Sequence, residues 1–269
     1  MSIELADFKT LALRRDGAVL HVTLNRPELR NAMSMTMVRE LRIVLGQCEM
    51  GCSTRVLVLR GAGGHFCAGA DLQDMASARA ALADDPQALV RVSVAFGELC
   101  AAFAAAPMAT VAVLEGTVMG GGFGLACVAD VALAAPTAVF RLPETSLGLI
   151  PAQIAPFLVE RLGYSEARRL AVTGGRLDAQ QALALRLVHE VHAGAELEAA
   201  LARVVGEILR CGPDALAATK ALMAKARLQA PASLVHEAAQ AFSAAALGPE
   251  GIEGTTAFLH KRKASWVPQ

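Results

Sequence analysis

Aromatic side chains are scarce: one Trp, one Tyr and nine Phe stand among 269 residues. Single-stranded nucleic acid is gripped by stacking bases on aromatic platforms, so that class of partner is not expected. Net charge is also missing, because 25 Lys and Arg balance 25 Asp and Glu. Such a chain has no global field for nucleic acid or an anionic membrane, and a polyanion has to be held by a local cluster. The six cysteines, Cys48, Cys52, Cys67, Cys100, Cys127 and Cys211, form no CxxC pair, and no His lies at finger-like spacing from them. They read as buried free thiols in a reducing compartment. No uninterrupted apolar run approaches the ~20 residues of a membrane span; Thr110 to Leu114 is typical. The first seven residues carry acid where a secretory signal carries base, so a cytoplasmic protein is expected. Gly-x-Ser-x-Gly, GxxxxGK[ST] and GxGxxG with a downstream acid are all absent, which removes the nucleophile elbow and the phosphate-cradling loops. The histidines lack ligand-like spacing, and no metal is expected.

What is present is apolar and small. Hydrophobic residues make up 54% of the chain, enough for a core without disulfides or metal. Asp16-Gly17 splits two short apolar runs, 11–14 and 19–24, as a hairpin would. Ser34 is placed to cap a helix to about Glu49. Strands are expected over 55–60, 108–114, 131–134 and 138–140, with helices over 71–75, 87–105 and 121–129. Residues 77–86 read as a mobile, solvated link. Beyond Phe140 helical patterns dominate, with one short strand possible near Val188. Pro213, Pro231 and Pro249 mark helix starts. This order suggests an α/β fold with crossover helices, whose sites lie at strand ends.

Three segments are candidates for chemistry. His65-Phe66-Cys67-Ala68-Gly69-Ala70-Asp71-Leu72 follows a strand and enters a helix, where small residues let a ligand approach oriented N–H groups. Asp71 is placed to cap or brace that turn. In Glu115-Gly116-Thr117-Val118-Met119-Gly120-Gly121-Gly122-Phe123-Gly124, three consecutive glycines suit a backbone against which something lies. Together the two turns suggest paired N–H donors for a developing oxyanion. Glu144, after Pro143, is a carboxylate between apolar stretches, suited to proton transfer if burial raises its pKa. Arg141 is a candidate partner for Glu144 or for an acidic substrate. Taken singly, each segment also fits a tight connection, helix-on-sheet packing or a surface acid. The histidines fit structural or solvated roles, His65 being the most open. Met33, Met35 and Met37 read as packing residues.

Asn25-Arg26-Pro27 with Asn31-Ala32, Phe66 to Asp71, Met119 to Gly122, Pro143-Glu144 with Leu147-Gly148, and Gly251-Ile252-Glu253 before Phe258 occur in an order and spacing that resembles the crotonase superfamily, the enoyl-CoA hydratase/isomerase family. The resemblance spans nearly the whole chain. It implies an α/β core of repeated ββα units over 1–195 and a helical C-terminal trimerisation region over 196–269, with trimers stacking as hexamers. It implies an acyl-CoA thioester as partner and no further cofactor. Ala70 and Gly121 would supply the oxyanion N–H groups. Cys67, Ala68, Asp71, Leu72 and Gly120 would flank the thioester and coenzyme A. Arg26 and Arg30 would neighbour its phosphates. Arg141 would neighbour the substrate, and Phe258 and Lys261 would reach the cofactor of an adjacent subunit.

Hydratases of this family use two glutamates. The second matches Glu144, but the first matches Gly124, and a lone glutamate resembles the isomerases. Glu115 is an outside candidate for the missing acid. The stretch Arg141 to Phe157 is similar to bacterial hydratases of 3-branched glutaconyl-CoA thioesters, namely isohexenylglutaconyl-CoA hydratases of acyclic monoterpene degradation and methylglutaconyl-CoA hydratases of leucine degradation. Such a substrate would bring its own distal carboxylate to help place water, and its acyl pocket would be lined from around Leu72 to Leu89. A lyase adding water to an enoyl-CoA is the expectation, with double-bond isomerisation through Glu144 as the alternative.

Overall fold

The computed structural model describes residues 8–51 and 53–268; the acidic amino terminus and Cys52 lie outside them. The chain opens with β1 (Leu11–Asp16) and β2 (Val19–Leu24), an antiparallel hairpin turned at Gly17. α1 (Met35–Gly51) follows, its start capped by Ser34 Oγ, which accepts from Met37 N at 3.2 Å. β3 (Val56–Gly61), α2 (Leu72–Ala80), α3 (Ala88–Ala105) and β4 (Ala109–Leu114) come next. Then come β5 (Thr117–Met119), α4 (Gly121–Val128), β6 (Val131–Ala134), β7 (Val139–Arg141) and α5 (Ala155–Thr173). β8 (Arg176–Asp178), α6 (Ala179–Ala184) and β9 (Glu190–Val191) complete the strand-bearing part. Four helices end the chain: α7 (Ala195–Arg210), α8 (Pro213–Ala226), α9 (Pro231–Leu247) and α10 (Pro249–Leu259).

Six strands form one sheet in the order β1-β2-β3-β4-β6-β9, parallel apart from the hairpin. Its central strands are apolar on both faces, as parallel strands between two layers must be. Leu57, Leu59, Ala112 and Leu114 face a large core with α1, α3 and α4. Their alternates Val56, Val58, Val111 and Val113 face Leu197, Leu201 and Val204 of α7. The first helix of the carboxy-terminal stretch thus closes the back of the sheet. α8, α9 and α10 contribute only Leu234 and Ala257 to the buried interior.

A smaller sheet, β5-β7-β8, lies over the first. Two isolated parallel bridges, Cys67 with Val118 and Met33 with Ala70, continue its pattern into the earlier turns. The chain therefore repeats one unit four times: a strand of the large sheet, a strand or bridge of the second layer, then a helix. β5 and β8 escape detection in the sequence. β5 is three residues beside a glycine run, and β8 buries only Leu177 between two charged residues.

The link expected over 77–86 is largely helical: α2 runs to Ala80 and a 3-10 turn covers Ala81–Ala83. Alanine is the best helix former, and Asp71 caps the helix by accepting from Gln73 N. α3 is 18 residues long with mean hydropathy 1.7, long and apolar enough by composition to cross a bilayer, but it carries Arg91 and Glu98 and packs against α1 and α4. Cys48, Cys67, Cys100 and Cys127 are buried free thiols. Burial pushes the thiols of Cys100 and Cys127 up to about 12. Cys211 departs from the expectation: it caps the end of α7 and is exposed.

Candidate active site

The second layer brings the two glycine turns together. Cys67 N donates to Thr117 O and Met119 N to Cys67 O, each at 2.9 Å. Three residues beyond the paired Cys67 and Val118 stand Ala70 and Gly121, so equal offsets along neighbouring strands carry them to the same end. Both line one cavity of about 550 Å³. The hydrogen bonds that fix the turns use the flanking groups: Met33 N to Gly69 O and Asp71 N to Met33 O around Ala70, Gly120 N to Arg141 O around Gly121. The N–H groups of Ala70 and Gly121 are not among those donors, and Gly121 opens α4, where a first-turn N–H has no partner within the helix.

Glu144 meets them from the third segment, in a 3-10 turn over Glu144–Leu147. It lines the same cavity. Gly120 has φ 47° and ψ −115°, a conformation side chains resist, and a Cβ there would lie 3.0 Å from Glu144 Oε1 and 3.5 Å from Gly69 Cα. Glu144 Oε2 is buried without a hydrogen-bond partner. Loss of hydration raises its pKa, opposed only by a bond from its own amide. The other acids of the lining are spent. Asp71 accepts from Arg26 Nη1 at 2.7 Å and from Gln73 N at 2.9 Å, and Asp74 accepts from Met35 N at 2.6 Å. Burial pushes Asp71 up, yet the bonds from Arg26 and the amides of Gln73 and Asp74 outweigh it and hold its pKa below the ordinary value.

The rest of the lining is mostly apolar. Met33, Met35, Met75, Leu89, Val90, Phe96 and Ile154 contribute, and Leu149 to Ile154 close one side. The wall from 72–89 contributes Asp74, Met75 and Leu89, whereas Leu72 is 69% exposed and outside the lining. Ser93 and Phe96 had no sequence signal of their own, and Gln153 and Ile154 entered only as part of the stretch Arg141 to Phe157. Ser93 sits in an unremarkable helical pattern, and the 149–154 loop has no period. The space beside Gly124 is filled from this loop: a Cβ on Gly124 would overlap Ile154 Cγ2.

Asn31 is fully buried. Its Oδ1 accepts from Arg26 N, and its Nδ2 donates to Ala62 O and His65 O. Arg26 donates to Asp71 and to Ala32 O, its side chain 18% exposed. It is thus engaged as a brace for the first turn instead of standing free at a rim. Arg30 stays exposed beside it, and its carbonyl accepts from Ala68 N. Cys67 is wholly buried, its thiol pushed up to about 11 by burial. Arg141 is exposed and makes no ion pair with Glu144 among the described residues. Glu115 lies 3.6 Å from Arg60, outside the cavity lining. His65 Nδ1 accepts from Thr117 N at 3.1 Å, a structural role. Phe258, 83% exposed, and Lys261 lie at the end of α10, outside this lining.

Residues 14–269 match the family described as Enoyl-CoA hydratase/isomerase. A 2,3-dehydroadipyl-CoA hydratase of Escherichia coli is 34% identical over 257 residues, 94% of this chain and 96% of that protein. Among solved structures, Pseudomonas aeruginosa AtuE is 52% identical with a TM-score of 0.93, covering 97% of this chain and all of that one. An enoyl-CoA hydratase/isomerase from Marinobacter aquaeolei is 48% identical with a TM-score of 0.92, over 96% of this chain and 99% of that one. By sequence and by its crotonase-like fold, the chain belongs to the enoyl-CoA hydratase/isomerase family and is an enzyme of the hydratase-like lyase kind.

Proposed function

We propose that this enzyme adds water across the 2,3 double bond of an enoyl-CoA, and that its substrate is a 3-branched glutaconyl thioester such as isohexenylglutaconyl-CoA or 3-methylglutaconyl-CoA. The observation that carries the reading is the buried, unpartnered Oε2 of Glu144 in the cavity that Ala70 and Gly121 also line. The thioester oxygen accepts from the N–H groups of Ala70 and Gly121, which stabilise the enolate as charge builds; one such donor is worth about 3–4 kcal/mol. Glu144 takes a proton from water as its oxygen bonds to C3, then returns that proton to C2, leaving a 3-hydroxyacyl thioester. A carboxylate of raised pKa is a stronger base than a solvated one, which suits both halves of the transfer.

The apolar wall from α1, α3 and 149–154 suits the branch at C3. The Escherichia coli relative is named for a dicarboxylic acyl-CoA, which supports a substrate with a distal carboxylate. That group, rather than a second glutamate, shares in placing the water. Arg30 neighbours the coenzyme A phosphates. α8 to α10 expose Met223, Val235, Phe242, Ile252 and Phe258, a surface for self-association as trimers.

Purified enzyme supplied with branched glutaconyl-CoA, crotonyl-CoA and 3-enoyl-CoA in heavy-oxygen water tests the reaction. Label in a 3-hydroxyacyl product is expected. Migration of the double bond without label would replace hydration by isomerisation.

A further inference from the structure

Five side chains of the cavity lining carry oxygen or nitrogen: Asp71, Asp74, Ser93, Glu144 and Gln153. The two aspartates are bonded within the first turn and α2, and Glu144 is assigned to proton transfer. Ser93 and Gln153 are left. Gln153 Nε2 donates to Ser93 Oγ at 3.0 Å, half-buried. The carboxamide lies over Gly97, one turn further along α3, where a Cβ would overlap Gln153 Oε1. Glycine is a poor residue for the middle of a helix, and here it makes room for that amide. Because Ser93 Oγ accepts from Gln153, its own proton is free to donate, as is the second N–H of Gln153. Among the described residues no Lys, Arg or His lines this cavity.

We propose that Ser93 and Gln153 form the recognition element for the distal carboxylate of the acyl chain. A purely apolar chain would leave two donors unsatisfied in an apolar wall, which costs affinity. A carboxylate satisfies both, through bonds stronger than those between neutral groups. With no cation in the lining, this pair is the polar feature that separates a dicarboxylic enoyl-CoA from a plain one. The inference rests on the hydratase reading for its substrate class.

The test uses binding as well as turnover. Calorimetry with 3-methylglutaryl-CoA and isovaleryl-CoA, saturated thioesters distinguished by the carboxylate, reads recognition without chemistry. The wild type is expected to prefer the dicarboxylic ligand. The Ser93→Ala, Gln153→Leu double variant is expected to lose roughly 10- to 100-fold in affinity for it, while isovaleryl-CoA, relieved of two unsatisfied donors, binds as well or more tightly. Ser93→Thr, which keeps the hydroxyl, should keep the preference. Equal losses for both ligands, or no preference in the wild type, would overturn the proposal. Selective binding without label from heavy-oxygen water would instead remove the hydratase reading and leave the recognition element standing.

Discussion

Replacing Gly124 by Ala separates two opposing effects at one atom. In an exposed helix the change gains about 1 kcal/mol, because glycine is the costlier residue to fix. Position 124 lies inside α4, fully packed, and the added methyl would overlap Ile154 Cγ2. Ile154 is 3% exposed and branched at Cβ, so it has no flexible end to swing aside. Overpacking of this kind costs about 1–3 kcal/mol. The overlap is with a stiff group, so the clash should win, with a net loss of about 1–2 kcal/mol. At roughly 2–4 °C per kcal/mol for a chain near this size, that is a fall of several degrees in Tm. The decisive comparison is the cycle with Ile154→Ala. That variant alone should lose about 2–5 kcal/mol through its cavity. In its background Gly124→Ala should turn stabilising, because the overlap is gone and the helix preference remains. The readout is thermal or urea unfolding of the four proteins. A Tm that rises in the wild-type background, or effects that add, would refute the reading that Ile154 fills the space beside Gly124.

Three further outcomes follow from the site. Glu144→Gln should abolish turnover yet raise Tm near neutral pH. The folded pKa of Glu144 lies above its ordinary 4.5, so its contribution to stability is whole below that value and is lost as pH rises through the raised one; melting curves across pH should show the variant's advantage vanish in acid. Gly120→Ala should lower kcat by about 10²–10³, since it strains a left-handed turn and crowds Glu144 Oε1; steady-state kinetics with an otherwise native circular dichroism spectrum would show it. Arg26→Ala should cost about 2–3 kcal/mol, less than the ~3–5 kcal/mol of a fully buried pair, because the guanidinium keeps some contact with water. Urea unfolding measures the loss, and Asp71 should become easier to protonate.

The strands of the large sheet were legible because their apolar runs are buried on both faces and bounded by glycine or charge, as in Val56–Gly61 and Ala109–Leu114. Proline marked the starts of α8, α9 and α10, and Ser34 that of α1; the capping box of Asp178 with Gln181 at the start of α6 is seen only in the structure. The second layer was hidden, since its members are three residues long or single bridges whose pairing is set by long-range register. For the same reason the two glycine turns could be singled out but not shown to meet. The ion pair of Arg26 was hidden, because nothing in Asn25-Arg26-Pro27 announces an aspartate 45 residues away. The pairing of Gln153 with Ser93 carried no signal, because it depends on Gly97, in the same helix as Ser93, leaving room for an amide from a distant loop.

The bridge between Cys67 and Val118 splits labour within the molecule. The donors proposed for the thioester, Ala70 and Gly121, hang from strand pairing, which tolerates no slippage, whereas the walls of the cavity come from α2, α3 and the loop at 149–154. Those walls can be rewritten by drift or by an engineer without displacing the two N–H groups, so one scaffold of this kind can accept many acyl groups while its hold on a thioester oxygen stays constant.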